Sequence, residues 1–99
     1  TPFYNKEKIS NLFSEIIAIW IISAWQILGK PKSFNIVELG PGDGSLTKIL
    51  LQVCKRFHDF NAAKKIYLYE LSSFLKKLQK KNIKSSEVKW INTFKDIKT

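Results

Sequence analysis

The residues best placed to do chemistry lie in Val37-Glu38-Leu39-Gly40-Pro41-Gly42-Asp43-Gly44, where glycines alternate behind a carboxylate. Gly40, Gly42 and Gly44 let the backbone turn sharply and let a ligand approach where a Cβ would block it. A helix expected to start near Ser45 points its unpaired N–H groups at the same spot. Such a crevice takes a nucleotide-like ligand or the carboxylate of an amino-acid moiety. Sites that cradle a pyrophosphate favour Gly-x-Gly-x-x-Gly, but Leu46 stands in the third-glycine place here. Glu38 would repel a pyrophosphate and suits a ligand carrying an ammonium group. S-adenosylmethionine carries both an ammonium and a sulfonium. Glu70, expected at the end of a second strand, can accept hydrogen bonds from both ribose hydroxyls of a nucleoside. Asn92, expected just after a third strand, is placed where an amide pairs with an adenine edge.

Several elements must position these groups. Apolar residues at Ile9, Leu12, Phe13, Ile16, Ile17, Trp20, Ala24, Ile27 and Leu28 follow the three-and-four spacing of a helix face, widened by Ile21, Ile22 and Trp25. The pattern predicts a long, mostly buried helix stopped by Gly29 and Pro31. Phe34–Leu39 reads as a buried strand, and Leu46, Ile49, Leu50, Val53, Cys54 and Phe57 repeat at helical spacing after the glycine turn. His58 to Lys65 is polar and reads as a loop. Ile66–Glu70 predicts the second strand, Phe74, Leu75 and Leu78 the face of a second helix, and Val88–Ile91 the third strand. Strands alternating with helices imply parallel pairing through crossovers. The expected class is therefore α/β: a partial Rossmann-like three-layer sandwich, the first half of a parallel sheet preceded by a long helix, with no internal repeat or boundary.

Composition narrows the function classes. A chain of 99 residues forms at most one small domain. It contains no methionine, so Thr1 is not expected to be a natural start and the chain reads as a fragment. One cysteine, Cys54, excludes an internal disulfide, and with His58 as the single histidine too few soft ligands remain for a zinc site. Cys54 is expected in the core and His58 at the surface. The net charge of +9 would suit a polyanion, but Arg56 is the only arginine among 17 basic residues, and a lysine-rich solvated surface is favoured over a nucleic-acid partner. The apolar stretch from Ile16 to Leu28 is interrupted by Ser23 and Gln26 and falls short of the roughly 20 residues of a bilayer span, so no membrane contact is expected.

Phe34 to Gly44, together with Tyr67 through Leu71-Ser72 to Leu78-Gln79, resembles the MidA-type class I S-adenosylmethionine-dependent methyltransferases. The likeness extends from Ile9-Ser10-Asn11-Leu12-Phe13-Ser14-Glu15 and Trp20 through Trp25-Gln26-Ile27-Leu28-Gly29-Lys30-Pro31, and after the turn to Phe57-His58 and Ala62-Ala63. The mitochondrial members are arginine methyltransferases that assist assembly of respiratory complex I. The resemblance implies S-adenosylmethionine as cofactor, a protein arginine as acceptor, and a bacterial cytoplasm or a eukaryotic mitochondrial matrix as compartment. It also implies that Glu38, Gly40, Pro41, Gly42 and Gly44 cradle the methionine end of the cofactor, Glu70 its ribose, and Asn92 with Thr93 its adenine. The family shows an acidic residue where Asn92 stands, a proline near Glu7, and a basic or small residue where Asp43 stands. Its Asn-Glu-Phe-x-Asp-Ala segment beside the reaction centre is not in this sequence, and no catalytic residue is assigned.

Three rivals stand beside this reading. The rRNA adenine dimethyltransferases share a Glu-x-Gly-Pro-Gly-x-Gly turn followed by Leu-Thr, here Leu46-Thr47, but connect the turn to the ribose-binding acid by a shorter helix and loop than Gly44 to Glu70 allows. A non-enzymatic Rossmann-like interaction module would need exposed aromatic surface, and Trp20 and Trp25 fall at core spacing. An NAD-dependent oxidoreductase is disfavoured by Glu38.

Overall fold

The computed structural model describes residues 6–98; Thr1 and Thr99 lie outside them. The elements run α1 (Lys6–Ile27), β1 (Phe34–Leu39), α2 (Ser45–Cys54), α3 (His58–Ala63), β2 (Lys64–Tyr69), α4 (Ser73–Ile83) and β3 (Val88–Ile91), followed by a 3₁₀ turn at Phe94–Asp96. The strands form one parallel sheet in the order β1-β2-β3, with Leu39 opposite Tyr69 and Tyr69 opposite Ile91. The carboxyl ends of all the strands thus line up on one edge, where open α/β sheets bind ligands. The α/β class, the parallel sheet and the long preceding helix agree with the sequence reading.

The sheet and helices meet in one core. Ile66, Tyr67 and Leu68 of β2, the middle strand of the sheet, are all buried. β1 is only half-buried, with Leu39 exposed, where a buried strand was expected. It has a single strand neighbour among the described residues, so much of its surface stays open.

α1 differs most from expectation. Its buried residues are Ser14, Ala18, Ile22 and Trp25, a stripe of three- and four-residue steps that packs on α2. Most of the face first read as buried points outward: Ile9, Leu12, Phe13, Ile16, Ile27 and Leu28 are exposed, and Trp20 is 72% exposed. Both faces are apolar, so spacing alone does not say which one turns inward. The stripe that turns inward is the one that carries the small residues Ser14 and Ala18. The full helix of 22 residues is long and apolar enough, by length and composition alone, to cross a membrane, although the stretch from Ile16 to Leu28 falls short. Its end is pinned as the glycine and proline suggest: Gly29 adopts φ 91°, and the Trp25 indole Nε1 donates to the Pro31 carbonyl (2.8 Å).

The polar stretch read as a loop forms α3 and opens β2. Phe60 and Ala63, one turn apart, are buried, and Asp59 in the first turn complements the helix dipole. On α4 the Ser72 hydroxyl caps the start by accepting from the Leu75 N–H, and Lys80 and Lys81 occupy the last turn. Phe74, expected on its buried face, is exposed; the residues that α4 buries are Gln79 and Ile83.

Candidate functional site

β1 ends at Leu39, and the Gly40 N–H continues the sheet ladder by donating to the Tyr69 carbonyl (3.0 Å). The chain then reverses through Gly40 (φ 61°), Gly42 (φ 61°) and Gly44 (φ 85°), a left-handed conformation that residues with a Cβ adopt at a cost. Pro41 is buried and its carbonyl accepts from the Gly44 N–H (3.0 Å). Asp43 Oδ1 accepts from the Ser45 N–H (3.0 Å) at the start of α2, and that bond lowers the Asp43 carboxyl below its ordinary range.

The glycines differ in what surrounds them. A Cβ at Gly44 would lie 2.9 Å from Ile83 Cδ1, so this glycine lets the turn press against α4. A Cβ at Gly40 or Gly42 would meet nothing within 4 Å. The space left by these two faces outward, as a cradle for a ligand requires.

Two carboxylates flank the turn. Glu38 is half-buried, and its Oε1 accepts from the Thr47 hydroxyl (2.9 Å). Burial pushes its carboxyl above the ordinary value, against the opposing pull of Thr47 and with a further push from Asp43. A desolvated carboxylate with so little compensation is a good partner for a cation. Glu70 is 8% exposed; its Oε1 accepts from Gln79 Nε2 (3.0 Å) and its Oε2 from the Ser72 N–H (3.1 Å). Each carboxylate oxygen has capacity for a further donor.

Glu70 lines an apolar pocket of about 360 Å³ with Leu39, Gly40, Tyr69, Leu71 and Phe94. Leu71 and Phe94 are exposed, and the Phe94 ring lies 5.3 Å from that of Tyr69. This apolar lining suits a flat heterocycle better than does the larger, more polar hollow of about 550 Å³ that Asn11, Asp43, Ser45 and Lys48 line beside the turn.

The structure brings Glu38, Gly40, Pro41, Gly42, Gly44 and Glu70 to the sheet's carboxyl edge. Asn92 and Thr93 follow β3 on the same edge but do not line the apolar pocket; Phe94 does. Asn92 Oδ1 accepts from Lys76 Nζ (3.0 Å), and the Thr93 hydroxyl accepts from the Lys95 N–H (3.4 Å) to cap the 3₁₀ turn. Sequence reasoning missed Leu71 and Phe94, which lack periodicity, and it missed Gln79. The signal for Gln79 was a polar residue four positions after Leu75 and four before Ile83, on the buried stripe of α4.

Cys54 is core, its thiol pushed up to about 11 by burial, and His58 is exposed, as expected. Among the described residues no group of His, Cys, Asp and Glu could hold a metal ion.

A family model of S-adenosyl-L-methionine-dependent methyltransferases matches residues 16–99. The chain is 39% identical over 77 residues to the mitochondrial protein arginine methyltransferase NDUFAF7 homolog of Drosophila melanogaster, covering 78% of this chain and 17% of the fly protein. It is 39% identical over 90 residues to the mitochondrial protein arginine methyltransferase NDUFAF7 of Xenopus laevis, covering 87% of this chain and 21% of the frog protein. Against that of Homo sapiens the identity is 37% over 79 residues, covering 78% of this chain and 18% of the human protein. The chain thus spans only about a fifth of the length of these relatives.

Proposed function

Since the chain belongs to the S-adenosyl-L-methionine-dependent methyltransferase family, we propose that residues 1–99 form the cofactor-binding first part of one methyltransferase domain and that the whole protein methylates a protein arginine. The observation that carries the cofactor role is an open glycine turn at Gly40 and Gly42 that follows directly on β1 and its half-buried Glu38 carboxylate. The carboxylate suits the ammonium of the methionine end, and the N–H groups at the start of α2 suit its carboxylate. Gly44 and Pro41 keep the cradle's shape. Glu70 takes the ribose hydroxyls, and the walls formed by Leu71 and Phe94 take the adenine, with Asn92 and Thr93 beside them at the adenine edge. When bound, S-adenosylmethionine supplies a methyl group activated on a sulfonium. These residues hold it in place and shield it from water, so their share of catalysis is positioning.

The arginine acceptor rests on the relatives' names, which also favour a protein over a nucleic acid as partner. Those names likewise support a mitochondrial compartment in a eukaryote, which we take to be the matrix; a bacterial protein of this kind would be cytoplasmic. Glu70→Ala is expected to weaken S-adenosylhomocysteine binding by about 1.5–3 kcal/mol, the range of a hydrogen-bonded charged group. Calorimetry on folded variant protein checks it, and wild-type affinity there would move the ribose site elsewhere.

A further inference from the structure

Gln79 is fully buried beneath the sheet's carboxyl edge, and its amide bonds to the turn after β1, to the carboxylate after β2 and to a side chain of β3. Nε2 donates to the Gly42 carbonyl (2.8 Å) and to Glu70 Oε1 (3.0 Å), while Oε1 accepts from the Trp90 indole Nε1 (2.9 Å). The orientation of the amide is chemically forced. An indole N–H only donates, so it must face the amide oxygen, and the two acceptors must face the two hydrogens of Nε2. One side chain thus ties the glycine turn after β1, the carboxylate after β2 and the β3 residue Trp90 into one hydrogen-bonded unit.

We propose that Gln79 is the positioning residue of the cofactor pocket: by clamping Gly42 and Glu70 to one amide it sets the distance between the methionine cradle and the ribose carboxylate. The inference rests on the cofactor reading above. Gly42 adopts a left-handed conformation, and its carbonyl is held in place by this donor. Glu70 is nearly buried, so its carboxylate needs donors from the protein to stay in one orientation before ligand arrives. Trp90 fixes the amide in turn, and Lys80 lies 5.4 Å over the Trp90 ring, holding the indole from outside.

Calorimetry of S-adenosylhomocysteine with the full-length protein tests this, using Gln79→Met, Trp90→Phe and Glu70→Ala, singly and combined, with thermal melts alongside. Gln79→Met keeps the side-chain volume and removes both donors. It is expected to weaken binding about tenfold to a hundredfold. In the Glu70→Ala background it should add less than its single effect, because the hold on Glu70 is already gone and only the bond to the Gly42 carbonyl is left to lose. Trp90→Phe leaves the Nε2 bonds but frees the amide oxygen; a loss of a few fold is expected, and it carries the test should Gln79→Met fail to fold. Wild-type affinity in a folded Gln79→Met or Trp90→Phe protein overturns the inference, as do losses that simply add to that of Glu70→Ala, the behaviour of a residue that only fills the core. Absence of binding to the wild-type protein instead overturns the cofactor reading on which the inference stands.

Discussion

Replacing Phe60 by alanine should lower the stability of the folded protein by about 3–5 kcal/mol, the range for deleting a large aromatic side chain from a core. Phe60 is 0% exposed, with the Trp25 ring edge-on at 5.3 Å and the Phe34 ring at 6.0 Å. It therefore sits in the core where α1, α3 and β1 converge, so its loss leaves a cavity lined by several elements. Loss of the ring also weakens the seat of Trp25, whose indole bond to Pro31 sets the path from α1 into β1. A small domain has little stability to spare, so the shift should show as a large fall in the denaturant midpoint at unchanged slope. A loss under about 1 kcal/mol would contradict this account of the core.

The second large effect is on binding. Gly42→Val is expected to abolish measurable binding of S-adenosylhomocysteine at concentrations that saturate the wild type, while costing about 1–2 kcal/mol of stability for a left-handed residue with a Cβ. The two effects separate because the space around a Cβ at Gly42 is open to solvent. The added Cβ meets no atom within 4 Å beyond its chain neighbours, and the side chain it carries enters the volume where the methionine moiety is proposed to lie. Gly44→Val gives the contrast: its Cβ falls 2.9 Å from Ile83 Cδ1, so the main penalty is to the packing of α2 against α4. A folded Gly42→Val protein that binds normally would place the ligand elsewhere.

What the sequence revealed, and what it hid, follows from the kind of information each feature carries. β1 and β3 were legible to the residue because short β-branched and apolar runs between glycine, proline and polar stretches have few other readings. The glycine turn was legible because its backbone conformation demands particular residue types, and Gly40, Gly42 and Gly44 all adopt positive φ. α3 was hidden, since a helix of six residues offers too few positions for a period to show, and only Phe60 and Ala63 are buried. The inward face of α1 was hidden for the opposite reason: apolar residues lie on more than one face of the helix, and the face that turns inward includes the small Ser14 and Ala18, which hydrophobic spacing does not single out. At the site, Glu38 and Glu70 stood out by charge and position. Gln79 did not, because its importance lies in reaching Gly42, Glu70 and Trp90 at once, which only the fold brings together.

The most direct test of the central claim is calorimetric binding of S-adenosylmethionine, S-adenosylhomocysteine and NAD to the full-length protein, with Glu38→Ala alongside. Binding of both sulfur ligands, no binding of NAD, and a loss of about tenfold or more in Glu38→Ala is the result expected if the cradle and its half-buried carboxylate hold the methionine end. Binding of NAD, or full affinity for the sulfur ligands without the Glu38 carboxylate, would contradict it.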